Sequence, residues 1–496
     1  MGLTELFIRS LSPWTLTTIP LVFVVVLAST HTVIRLYDEH IRLRAPRVGK
    51  NPWIWGLWRS RAYFARNSKD LTHYGYDAYK DSIYRIQTGD MERLVVANSY
   101  LNELRKLPDT RLSSKVAVVE RNLGWYNGVD IILKSTSHVD VCRVQLVQNL
   151  GRVVDGLVAE LDNVFRLELT ACFEDRADFY NASKTILHIV NRSIAKTIVG
   201  EPLCDRDEWL STSLKTTVNT GMLTDRLRKL PVLVRPLVSP YTASGKALKE
   251  GLEVARRLLS EEITENRRRG GERTDILQWL IDRHDADDVG IQFLTNQVLF
   301  ITTAATRSTA ASIVHTTFDL LAYPQYQNIL RHDIEDALMR SGGWSLEALH
   351  GMERLDSFIK ESQRLNHHPL LSFNRKVQSS ITLKDGLTIP AGTFISVPSY
   401  WAARDPDIHL NGSEFHPWYW FDLRSTSPTN LYWGYGRNEC PGRFMAAVEI
   451  KLLVAWMLRN FDVTFPPGQT GRPENLFVDE RVRPCPTQEV GFRRLR

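Results

Sequence analysis

Apolar residues recur along this chain with three different spacings. From Leu16 to Leu36 they are nearly continuous, with L-V-F-V-V-V-L at Leu21 to Leu27, diluted by several threonines and Pro20. A run of that length is enough to cross a bilayer as a helix. Between residues 82 and 98, polar and β-favouring residues alternate, as in Ser82-Ile83-Tyr84-Arg85-Ile86 and Arg93-Leu94-Val95-Val96. The alternation predicts a hairpin turning at Thr88-Gly89-Asp90. From about 135 to 365 the spacing is mainly helical, and no proline interrupts the chain between Pro240 and Pro324, which leaves room for long helices. One long helix is expected over Thr295–Tyr323, ending before Pro324. A second strand-rich patch covers 372–398, including I-T-L-K-D-G-L-T-I at Ile381 to Ile389. A proline- and aromatic-rich coil runs from about 404 to 432. Phe444, Ala447, Val448 and Leu452 then recur at helical spacing, and a short strand follows at 461–465. There is no internal repeat or low-complexity segment.

These patterns predict a mainly α fold with a small β region. Residues 1–44 read as an N-terminal anchor and flank, and 45–496 as a single domain. Pro46, Gly49, Pro52 and neighbouring tryptophans form a hinge between them. Charge refines the anchor. Arg9 alone precedes the apolar run, whereas Arg35, Arg42, Arg44, Arg47 and Lys50 follow it. The positive-inside rule puts the body in the cytosol. A cleaved signal peptide would carry its positive charge before the run, so an uncleaved transmembrane helix is the reading adopted. Asn181-Ala-Ser and Asn191-Arg-Ser fit the glycosylation pattern but would then face the wrong side of the membrane.

Composition excludes several classes. A net charge of +6, with no basic clusters interleaved with aromatics, argues against a nucleic-acid partner. The run Arg267-Arg268-Arg269-Gly270-Gly271 reads as a solvated helix end. Cysteines at 142, 172, 204, 440 and 485 form no CxxC pair, which argues against a disulfide framework or structural zinc and fits a reducing compartment.

The chemistry concentrates at Trp433 to Gly442, W-G-Y-G-R-N-E-C-P-G. Cys440 stands at the mouth of the expected final helix, where the helix dipole and free N–H groups favour thiolate. Gly434 and Gly436 let the backbone turn tightly and approach a flat cofactor. Such a cysteinate suits one face of a haem; the bland alternative is a buried cysteine in a glycine-rich turn. The stretch resembles the haem-binding loop of the cytochrome P-450 monooxygenases, F-x-x-G-x-R-x-C-x-G. Trp433 stands at the Phe position, while Gly436, Arg437, Cys440 and Gly442 match. The order of elements also resembles the P-450 fold over nearly the full chain.

That resemblance implies roles for further residues. Ala304 to Thr309 reads A-A-T-R-S-T. The family's A/G-G-x-D/E-T-T puts Ser308 at the oxygen-handling position and Thr309 after it, with Ala305 replacing Gly and Arg307 replacing the acid. Taken alone, such small residues also serve tight helix packing. Glu361 and Arg364, three apart on an expected helix, match the E-x-x-R that braces the cysteine loop; otherwise they would be a solvated pair. Arg437 and Arg375 match propionate-binding positions. Arg143 falls where the W-x-x-x-R arginine would lie, with Val139 at the Trp place, and His138 is adjacent; ordinary helix surface is the alternative for both. The family's F-x-P-x-R-F/W reads Phe415-His416-Pro417-Trp418-Tyr419-Trp420 here. Tyr419 is therefore expected to hydrogen-bond Glu361 or a nearby carbonyl, failing which Arg404 or Arg424 supplies the contact.

The function implied is a membrane-anchored haem–thiolate monooxygenase of the endoplasmic reticulum, its catalytic domain cytosolic, with haem b ligated by Cys440. It would use O2 and NADPH-derived electrons from an NADPH–cytochrome P-450 reductase, with cytochrome b5 as a further candidate donor, since no flavin or nicotinamide fingerprint is present. L-R-K-L-P-D at 104–109, E-P-L-C at 201–204 and F-R-R near the C-terminus resemble fungal secondary-metabolism members, which implies an apolar terpenoid substrate. Two alternatives stand: a haem–thiolate isomerase or dehydratase needing no external electrons, and a non-catalytic membrane-tethered binding protein.

Overall fold

The computed structural model of the chain describes residues 22, 25, 26, 29, 45–50, 56–173, 178–269, 273–283, 290–409, 411–421 and 426–495. The alternating stretch forms β2 (Ile83–Gln87) and β3 (Glu92–Val96), antiparallel with Ile83 opposite Val96. β1 (Arg47–Val48) lies parallel to β2. The late patch supplies β6 (Ser372–Val377) and β9 (Phe394–Val397), and β4 (Leu112–Ser113) closes the edge. The six-stranded order is β1-β2-β3-β9-β6-β4. Between β6 and β9, β7 (Ile381–Thr382) and β8 (Thr388–Ile389) form the small hairpin expected there.

Helices make the rest of the body. They include α1 (Leu57–Tyr79), α2 (Ser114–Asn122), α3 (Ser137–Arg143), α4 (Leu150–Glu168), α5 (Ala182–Val199), α6 (Asp207–Arg228), α7 (Ala243–Arg269), α8 (Ile291–Ala322), α9 (Gln327–Ser341), α10 (Glu353–Leu365) and α11 (Arg443–Asn460). α4 buries Leu150, Val153, Val154, Leu157, Leu161, Val164 and Phe165, a stripe at helical spacing. α8, free of proline, runs unbroken for 32 residues, packs against α5, α6, α7, α10 and α11, and stops before Pro324. The main core gathers around it, with Trp209, Phe318, Phe358, Leu452 and Phe461 all buried.

Four small strands escape the sequence reading: β5 (Asp178–Asn181), β11 (Leu476–Val478), β12 (Arg481–Arg483) and β13 (Glu489–Arg494). β5, inside the stretch expected to be helical, joins β13 and β10 (Phe461–Thr464) in a second sheet. β11 and β12 form a two-stranded hairpin. β5 is defined by pairing with a segment some 300 residues away, and no local pattern announces such a partner.

Among the described residues no helix is long and apolar enough to cross a membrane. The run at 16–36, on which the expected anchor rests, lies outside the described residues apart from Val22, Val25, Val26 and Ser29, which are helical. Pro52 of the expected hinge and Arg424 also lie outside them. The glycosylation pattern at Asn191 is closed in any compartment: its side chain is buried, donates to Leu210 O at 3.1 Å and accepts from Ser213 Oγ at 3.1 Å. All five cysteines are free.

Candidate active site

Backbone constraint shapes the cysteine loop. Gly434 and Gly436 take φ of 81° and 80°, a left-handed region that side chains disfavour. At Gly436 a Cβ would also stand 2.9 Å from Arg105 Cβ, so close approach adds to the demand for glycine. Cys440 N–H donates to Trp433 O at 2.8 Å, and Gly436 N–H donates to Glu439 Oε1 at 3.1 Å. These bonds close the loop just before α11 begins at Arg443. Trp433 packs against the main core and meets Tyr432 edge-on at 5.0 Å. A Cβ at Gly442 would meet no atom within 4 Å, so the backbone there borders open space.

Two opposed effects act on the sulfur. Burial pushes the Cys440 thiol above its ordinary pKa; the Gly442 N–H, Arg443 and Arg143 pull the other way without reversing it. Desolvation of a buried thiolate outweighs the donors at the helix entrance.

Cations surround the loop. Arg143 Nη2 donates to the carbonyls of Arg437 (2.8 Å) and Glu439 (3.2 Å), so this guanidinium bears on the loop backbone itself. Arg105 lies over the Tyr435 ring at 4.6 Å, and its buried Nε has no partner. Arg375, buried on β6, donates to Asn374 O at 2.9 Å and makes no ion pair among the described residues. Burial lowers its pKa to about 10, with Asp109 opposing. His138 is buried on α3, edge-on to Phe300 of α8 at 5.3 Å, with Nδ1 unpartnered. Burial takes its pKa to about 4, so it is neutral near pH 7. The Arg437 side chain is exposed. A sulfur on a glycine-shaped loop, a buried cation that makes no ion pair among the described residues and an imidazole lacking a partner at Nδ1 are what a planar dianionic metal cofactor needs. The residues fit haem.

On α8, Ser308 faces a cleft of about 490 Å³ that is also lined by Phe300, Ala304, Arg307 and His368. Its Oγ donates to Ala304 O at 2.9 Å. Thr309 is not brought to this cleft, which corrects its pairing with Ser308. One residue turns a helix by about 100°, and Thr309 is 2% exposed with its hydroxyl unpartnered in the core.

Glu361, at 0% exposure, collects donors. Arg364 gives Nη2 to Oε1 at 2.6 Å and Nε to Oε2 at 2.8 Å. His416 N–H adds 2.8 Å to Oε1, and Trp420 Nε1 adds 3.0 Å to Oε2. Arg364 also donates to the carbonyls of Ala403, Gly412 and Glu414.

With this geometry in place, comparison with known proteins is direct. The family profile for cytochrome P450, written P-450 here, matches residues 46–487. The chain belongs to the cytochrome P-450 family. It is 33% identical over 496 aligned positions to the P-450 monooxygenase olcJ of Penicillium canescens, covering 94% of this chain and 92% of that protein. It is 29% identical over 478 positions to an ent-kaurene oxidase of Fusarium fujikuroi, covering 93% and 90%. The solved structure of retinoic acid bound cyanobacterial CYP120A1 superposes with a TM-score of 0.69 at 18% identity, covering 91% of this chain and 99% of that one.

In this P-450 the family arginine missing from the coil is replaced, but not by Tyr419. The Tyr419 hydroxyl lies 3.2 Å from His409 Nδ1 instead. Trp420, one residue on, brings its indole N–H to Glu361. Arg404 donates to Tyr400 O and Leu365 O rather than to Glu361. Counting donors within F-H-P-W-Y-W could have found Trp420, since indole N–H is a donor only and needs a buried acceptor. Arg105, His368 and the arginines of β12 were also missed. The alternation R-V-R at 481–483 carried a signal for the last, because period two puts both arginines on one face.

This arrangement separates two variants. Trp420→Phe removes a bond to a buried charge and should lower stability by about 1.5–3 kcal/mol. Tyr419→Phe should cost about 1 kcal/mol or less. Urea denaturation of the haem-loaded chain checks both, and equal losses would reject the assignment.

Proposed function

We propose that this P-450 is a membrane-anchored monooxygenase of secondary metabolism that oxidises a C–H bond of a terpenoid, drawing electrons from NADPH through a P-450 reductase, with cytochrome b5 as a possible second donor. The observation that carries the reading is the Cys440 sulfur on its closed glycine loop, with the Arg143 guanidinium on the loop carbonyls. The ent-kaurene oxidase relative supports the substrate class. The apolar run at 16–36 supports an endoplasmic reticulum anchor with the body in the cytosol.

The residues divide the work. Cys440 would ligate the iron of haem b. Arg375, Arg437, Arg105 and neutral His138 would hold the propionates with charged and neutral donors. Arg143 fixes the loop carbonyls and so steadies the sulfur. Haem, when bound, supplies dioxygen activation and C–H oxidation. Ser308 handles protons: its Oγ–H rests on Ala304 O and can turn to a water or oxygen in the cleft. Arg307 is a poor relay because a guanidinium holds its protons near neutral pH. A hydroxyl exposed at that point of α8 favours oxygenase chemistry over isomerisation or dehydration.

Cys440→Ala should abolish the long-wavelength carbon-monoxide band of the reduced protein, while replacement of any other cysteine should leave it. A retained band in Cys440→Ala would reject the ligand assignment. Ser308→Ala should uncouple NADPH consumption from product and release peroxide, measured by their ratio; Ser308→Thr should behave like the natural chain. The anchor is checked by fractionation: the full chain should stay with membranes through a high-salt wash, and deletion of 1–44 should release it.

A further inference from the structure

The cleft over α8 is charged in one sense only. Arg121, Arg307, Arg481 and Arg483 reach it, and no carboxylate lines it. Arg121 is neutralised behind the wall by buried Glu480. Arg481 and Arg483, on one face of β12, share Asp225 of α6, at 2.5 and 3.5 Å. Arg307 makes no ion pair among the described residues. Its guanidinium occupies the cleft because residue 221 of α6 is glycine; a Cβ there would collide with Nη1. Gly221 and Asp225 are four apart and therefore share the face of α6 turned to the cleft. Desolvation lowers the Arg307 pKa to about 10, Arg481 and Arg483 push the same way, and Asp225 alone opposes.

Guanidinium groups thus outnumber carboxylates around a half-enclosed cleft. Holding unpaired charge away from water is costly, and an entering anion would relieve that cost. We propose that Arg307, backed by Arg481 and Arg483, binds a carboxylate of the substrate, so that the molecule oxidised is an apolar acid rather than a neutral hydrocarbon. This rests on the monooxygenase reading and names its substrate class. The planar fork of Arg307 matches a carboxylate with two parallel hydrogen bonds. Its neighbour Ser308 then lies beside the apolar skeleton, which the carboxylate end orients. Asp225 offsets part of the positive charge of the cleft.

The test compares acids with their methyl esters on the full-length, haem-loaded chain. Abietic acid and lauric acid, each with its ester, and farnesyl phosphate are titrated by calorimetry and by the haem spectral shift. The acids should bind about tenfold tighter than their esters, a difference of about 1.4 kcal/mol. Arg307→Gln should erase that ratio by weakening the acids while leaving the esters unchanged. Asp225→Asn should keep the ratio or raise it. A natural ratio near one, no measurable binding of any acid, a ratio unchanged in Arg307→Gln, or tighter binding of the phosphate than of every acid would each overturn the proposal. Carbon-monoxide spectra taken on the same samples keep the two readings apart. An absent band with the calorimetric acid preference intact would sink the monooxygenase reading and leave the carboxylate site standing.

Discussion

Everything near the sulfur depends on one buried carboxylate. Glu361 takes two hydrogen bonds from Arg364, one from the His416 backbone and one from the Trp420 indole. A buried charge is tolerated only when its lone pairs are filled. Here the filling groups come from α10 and from the coil, so satisfying the charge also fixes the coil. Arg364 extends the effect by holding the carbonyls of Ala403, Gly412 and Glu414. The part of the coil at 411–421, which has no regular helix or strand, is thereby held to α10.

A second set of buried charges positions the opposite wall. Glu480, between β11 and β12, pairs with Arg93 of β3 and Arg121 of α2. Asp90 and Asp479 each take Arg228 of α6 at 3.2 Å. Leu370 N–H donates to Glu480 O at 2.8 Å, and Val482 N–H donates to His368 O at 2.6 Å. The hairpin is thus tied to the large sheet, to two helices and to the segment after α10. Arg481 and Arg483 inherit their place over the cleft from these ties. Losing one partner of such a pair strands the others as uncompensated charge, typically at about 3–5 kcal/mol.

How much of this was legible follows from how local each signal is. The β2–β3 hairpin, α8 and α11 rest on periodicity within a few turns and emerged close to their expected bounds. The cysteine loop rests on glycines whose φ and spacing are local too. Trp420 was hidden because the choice between it and Tyr419 depends on which ring turns inward after Pro417, a matter of packing against α10. β5 and the arginine cluster of the cleft depend on elements brought together from opposite ends of the chain. At Cys440 the helix-end donors were visible in sequence and the opposing burial was not.

α8 shows how one helix can be polar and still lie in the core. Thr295, Thr302, Thr306, Ser308, Thr316 and Thr317 each donate to the carbonyl four residues back, at 2.7 to 2.9 Å. Their hydroxyls are satisfied within the helix, so they need no partner from the elements packed around it. Such back-bonding slightly loosens and bends a helix, and here it runs along much of its length. Of these six, Ser308 alone is exposed. The buried ones keep their carbonyls, and Thr316 alone also reaches a side chain outside the helix, Ser362 Oγ at 3.5 Å. Ser308 can exchange Ala304 O for a water or a ligand atom at little cost, because the bond it gives up and the one it gains are alike. The same chemical group is therefore structural at five positions and available for proton handling at one, and exposure is what separates them.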